Sequence, residues 1–114
     1  MAKKIINTPW GRADHVEQIT EGIHRVDTPS HGGYHVDDTR RAMMPAAVRN
    51  YVSRYHGQIG WFEEDCEWTL VALCFPAHFP DSALITARAI AAKLYPAELA
   101  AIESTDTKPQ PALL

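Results

Sequence analysis

A chain of 114 residues with 46% apolar and 22% charged residues has the composition of one soluble globular domain. Its length allows a core that buries roughly two-thirds of the unfolded surface. A net charge of −3 gives no electrostatic reason for a nucleic-acid partner. No stretch approaches the roughly 20 apolar residues of a membrane span, and Met1-Ala2-Lys3-Lys4-Ile5-Ile6 lacks the apolar run of a signal peptide. The expected location is therefore the cytoplasm, with no membrane contact.

Charge is uneven along the chain, +2 over residues 1–56 and −5 over residues 57–114. Such a dipole orients a partner without identifying it. The globular part is expected to span residues 1–103, with a disordered tail over residues 104–114 that carries Pro109 and Pro111.

Residues 1–9 read as a loose lead-in ending at Thr8-Pro9, and Trp10 is expected to anchor the folded part on the core. Breaks at Glu21-Gly22 and Pro29-Ser30-His31-Gly32-Gly33 divide the next stretch into three antiparallel strands, over residues 16–20, 23–28 and 33–37. Tyr34 and Val36 alternate with His35 and Asp37, as in a half-buried strand. Asp38 is placed to cap a short turn through Met44. Pro45 suits the first turn of a following helix, whose apolar face would be Val48, Tyr51, Val52 and Tyr55 and whose end would be His56-Gly57.

The stretch from Trp61 to Pro76 carries four acids, Glu63, Glu64, Asp65 and Glu67, and then the most apolar run in the chain. A doubly buried strand and a core helix both fit residues 68–75. Ala72 and the leucines favour helix, and Glu63, Glu64 and Asp65 would meet the positive end of its dipole in the first turn. Pro76 stops it. Phe79-Pro80-Asp81-Ser82 then starts a helix with Leu84, Ala87, Ala91 and Leu94 on one stripe, and a last helix runs over residues 96–103. The fold class is α+β, a sheet of about three strands in the N-terminal third packed against three to five helices.

Candidate chemistry concentrates at two places. The Ser30-His31-Gly32-Gly33 segment offers a hydroxyl, an imidazole and two glycines free to take positive φ or to approach a ligand; a plain hairpin turn uses glycines in the same way. The segment Trp61, Glu63, Glu64 and Asp65 offers carboxylates beside tryptophans. Crowding and burial there would raise a carboxyl pKa, and pairing with His31 would make a hydrolase or transferase site of His31, Glu63, Glu64 and Asp65. The same acids and tryptophans equally suit a contact patch for a basic partner.

His24, His31 and His35 fit no standard zinc spacing, so neither metal nor cofactor is expected. Cys66 and Cys74, in one helix, would lie about 12 Å apart, too far for a disulfide. Burial for Cys74 and neighbouring acids for Cys66 would suppress their thiolates.

Three phrases together, Thr8-Pro9-Trp10-Gly11, Thr28-Pro29-Ser30-His31-Gly32-Gly33 and Trp61-Phe62-Glu63-Glu64-Asp65-Cys66 with Phe75-Pro76, resemble a family of small domains of unknown function in proteobacterial plasmids, integrative elements and phages. The resemblance covers residues 8–96 and brings no catalytic residue with it. It implies an accessory protein of a mobile element, such as an anti-CRISPR or anti-restriction inhibitor, that occludes a host protein, for example a nucleic-acid-binding defence component. On that reading the binding residues are Ser30, His31, Gly32, Gly33, Trp61, Glu63, Glu64 and Asp65, the protein is non-enzymatic, and nucleic acid is not bound directly.

Overall fold

In the computed structural model, which describes residues 5–105, the chain is α+β. A two-stranded ribbon, β1 (Asn7–Thr8) and β2 (Gly11–Arg12), precedes a four-stranded antiparallel meander. The meander runs β3 (His15–Thr20), β4 (Ile23–Asp27), β5 (Gly32–Val36) and β6 (Trp61–Glu63) in spatial order. Between β5 and β6 lie α1 (Asp38–Arg41) and α2 (Ala46–Arg49). After β6 come α3 (Trp68–Cys74), a 3-10 turn at Pro76–His78, α4 (Asp81–Leu94) and α5 (Pro96–Thr105).

Strand alternation gives the sheet two faces. Pairings Ile23↔Val36, Arg25↔Tyr34 and Tyr34↔Phe62 put these residues on one face. Ile23, Val36 and Phe62 there join Leu70 and Val71 of α3, Ala91 of α4, and Leu99 and Ile102 of α5 in the core. Burial of each large apolar side chain in this layer stabilises by about 1.5–3 kcal/mol. The opposite face carries His24, Val26, Gly33, His35 and Trp61. Trp10 covers it, edge-on to Trp61 at 5.9 Å and to His56 at 5.5 Å.

Four local expectations are corrected. The sheet has a fourth strand, because residues 61–63 extend it instead of opening a helix; α3 starts only at Trp68. The helix expected over residues 45–56 stops at Arg49, with Pro45 as its cap. The Ser53 hydroxyl accepts hydrogen bonds from the N–H of Tyr55 and His56, competing with helical bonding, and a Val52↔Ile59 bridge closes the excursion. Val52 and Tyr55 consequently face solvent, 55% and 63% exposed.

The cap of α1 is Asp37, not Asp38: its carboxylate accepts from Arg40 N at 2.8 Å. Gly32 and Gly33 lie in β5, and neither has positive φ. They are required by packing. A Cβ on Gly33 would collide with the Phe62 carbonyl oxygen and come within 2.5 Å of the Trp10 ring.

The remaining expectations hold more closely. Residues 68–74 are helical and buried nearly all round, α4 buries Ala87 and Ala91, and α5 begins at Pro96. Leu94 leaves the stripe and is exposed. Ser104 and Thr105 belong to α5 instead of the expected tail, and residues 106–114 of that tail lie outside the described residues.

Candidate functional site

The carboxylates expected to act together are divided by the fold. Glu63 ends β6 and is buried. Its Oε2 accepts from Asp65 N at 2.9 Å, and its Oε1 accepts from Cys66 N at 2.6 Å and Glu67 N at 3.3 Å. One carboxylate thus satisfies three amides in the turn that leads into α3. It performs the capping expected of an acid near a helix start, from outside the helix.

Glu67 is fully buried. Tyr51 Oη donates to its Oε2 at 2.6 Å, and Glu63 N donates to its Oε1 at 3.1 Å. Nδ1 of His56 accepts from Gln58 N at 3.1 Å, so the neutral ring carries its proton on Nε2, which lies 3.6 Å from Glu67 Oε1. Burial first, and then this carboxylate, hold the Tyr51 hydroxyl far above its usual range. Tyr95, edge-on to Tyr51, is pushed up to about 12, chiefly by burial. Nδ1 is thus occupied within the 50–60 excursion, whereas Nε2 is buried beside Glu67 without a hydrogen bond among the described residues.

His24 and His35 face each other across β4 and β5, and His35 lies 4.5 Å from the Trp61 ring. Burial lowers the His35 pKa, with His24 and Arg41 acting in the same direction and Asp37 and Asp38 against it. His31 stands apart at the other end of the sheet, exposed, and its ring makes no hydrogen bond among the described residues. Among those residues no three His, Cys, Asp or Glu side chains are grouped to hold a metal ion. Both cysteines are free, with thiols pushed up by burial, Cys74 to about 12 and Cys66 further helped by Glu63, Asp65 and Glu67.

The two candidate segments do meet. Glu64 N donates to Gly32 O at 2.9 Å, so the Ser30–His31 loop and the Glu64–Asp65 turn lie side by side at one end of the sheet. Arg25 links this end: its Nη2 donates to Asp27 Oδ1 at 2.8 Å and Glu64 Oε1 at 2.7 Å, and its guanidinium sits 5.5 Å over the Tyr34 ring. Tyr34 continues to Phe79 at 5.7 Å and Phe79 to Trp68 at 6.5 Å, three half-buried rings in a row.

The result is an acidic rim of Asp27, Glu64 and exposed Asp65, paired among the described residues with Arg25, bordering a strip of Tyr34, Phe79 and Trp68. Ser30, His31 and Asp65 are exposed in it, Glu64 is partly so, Trp61 is half-buried against Trp10, and Gly32, Gly33 and Glu63 serve the fold. The sequence reading missed Arg25, Asp27, Tyr34 and Phe79. The one local signal was Arg25 two residues before Asp27, the spacing of same-face neighbours on a strand.

These features define a small α+β protein with a polar–aromatic surface at one end of its sheet. The chain belongs to a family described as a domain of unknown function (DUF7007), whose family model matches residues 3–112. No curated protein and no solved structure matches it. No helix among the described residues is long and apolar enough to cross a membrane.

Proposed function

We propose that this chain is a non-enzymatic, cytoplasmic accessory protein of a mobile genetic element that inhibits a host defence system, of the CRISPR or restriction type, by covering a surface of one of its protein components. The observation that carries the binding mode is the acidic rim of Asp27, Glu64 and Asp65 beside the half-exposed rings of Tyr34, Phe79 and Trp68. Rings supply contact area at low entropic cost, and carboxylates at the rim steer a basic, nucleic-acid-binding face. The resemblance of the three sequence phrases to a mobile-element family supports the biological context. A hydrolase or transferase using His31 with Glu63, Glu64 or Asp65 has less support, since Glu63 is occupied by three amides and Glu64 by Arg25.

The test captures the partner from host lysate with the tagged chain, then titrates the purified partner against wild type and the double variant Glu64→Gln/Asp65→Lys. Glu63 is left intact because its loss would disturb the fold. Affinity is expected to fall at least about tenfold in the folded variant, with a shallower salt dependence. Unchanged affinity would remove this surface from the account.

A further inference from the structure

We propose that the chain associates with a second copy of itself through β3, joining two four-stranded sheets into one continuous sheet across a two-fold axis. β3 is an edge strand, six residues long, and its first four residues are exposed. The direction in which its free backbone groups point follows from the ladder. Asp37 N donates to Gly22 O, and Thr28 N donates to His31 O. In an antiparallel pair hydrogen-bonded residues recur every second position, so the even residues of β4 bond to β5 and its odd residues to β3. Through Arg25↔Glu17 and Asp27↔His15, the odd residues of β3 therefore face β4. The N–H and C=O of Val16 and Gln18 point outward, and among the described residues nothing in the sheet pairs with them.

An extended strand satisfies such an edge, and the side chains of β3 select β3 of another copy. A two-fold axis at Val16 places Val16 opposite Val16, each donating to and accepting from its copy. The same register sets His15 opposite Glu17 of the second copy and Glu17 opposite its His15. Centring on Glu17 would oppose two carboxylates directly, a destabilising arrangement. Centring on Gln18 would engage the irregularity between Gln18 and Thr20, where the register of β3 shifts.

The Val16 register alone combines an imidazole–carboxylate pair on each side with an apolar centre. Val16 is 37% exposed, and its neighbour across the sheet, Val26, is fully buried. The dimer would therefore extend a valine row from one sheet into the next. β3 also lacks proline and lysine, the residues that commonly protect an edge from pairing.

Analytical ultracentrifugation of the full chain over a range of concentrations tests this, with circular dichroism as the check on folding. Wild type is expected to shift from 12.7 kDa towards twice that mass as concentration rises. Val16→Pro removes an outward N–H without touching the β3–β4 ladder, and should be folded and monomeric. Glu17→Lys should weaken self-association by about tenfold, through the loss of two imidazole–carboxylate pairs. The double variant His15→Glu/Glu17→Lys should restore it, because each introduced carboxylate then faces an introduced ammonium.

A wild-type chain that stays at 12.7 kDa throughout overturns the proposal. So does a dimer that a folded Val16→Pro chain retains, or a double variant that fails to recover association.

Discussion

At the scale of single residues, the acids act chiefly as internal hydrogen-bond acceptors. Glu63 accepts from three backbone amides, and Glu67 from a tyrosine and an amide. Glu63→Ala would leave amides unsatisfied in a partly buried turn, and is expected to cost about 2–3 kcal/mol in urea unfolding at pH 7. Asp65→Ala, at an exposed side chain in the same turn, should change stability by less than about 0.5 kcal/mol. Equal effects would contradict the division of labour among these acids.

The tyrosines add a pH dependence. Tyr51 and Tyr95 hold their protons in the folded state above the ordinary value of 10.0, Tyr95 to about 12. In unfolded chain they ionise near 10, so the folded state binds more protons above that pH. Stability is therefore complete below pH 10 and falls as pH rises towards 12, by up to about 1.4 kcal/mol per pH unit for each tyrosine. Chemical unfolding followed from pH 9 to 11.5 should show this slope, and Tyr95→Phe should flatten it. A flat wild-type profile would place both hydroxyls in water.

At the scale of elements, the legible parts of the sequence were those where local signals agreed. The strand over residues 32–36 and the helix starting near Pro80 combine periodicity with a turn or proline boundary, whereas the helix over residues 68–74 shows itself only in its alanine and leucines and its stop at Pro76, the acids expected in its first turn lying before it. Residues 61–63 were not legible as a strand because their partner is β5, some 28 positions away, and three residues carry no periodicity. Residues 50–56 have a helical apolar pattern, but Ser53 takes up the local N–H groups and the helix ends.

The glycine pair fits a hairpin turn or a ligand loop by sequence, and the reason for Gly33 lies in contacts with Phe62 and Trp10 that no local pattern reveals. The pairing of the Ser30 loop with the Glu64 turn was anticipated as a surface; the linking Arg25 was not. Gly33→Ala is accordingly expected to destabilise by about 1–3 kcal/mol through overpacking, read by thermal unfolding. Gly57, where a Cβ would meet nothing within 4 Å but φ is +70°, provides a purely backbone comparison. A Gly33→Ala chain as stable as wild type would contradict the packing account.

At the scale of the molecule, the helices cover one face of the sheet and Trp10 with the 50–60 excursion covers much of the other. Two features are proposed to meet partners. The first is the acidic and aromatic end proposed to meet a basic protein; the second is the β3 edge proposed to meet another copy.

The most direct measurement of the central proposal is a hydrogen-exchange footprint of this chain, free and bound to the protein it captures. The account expects slowed exchange over residues 27–34, 63–68 and 76–80, which form the acidic and aromatic end. Protection confined to the exposed excursion at residues 52–59, with that end unchanged, would contradict it.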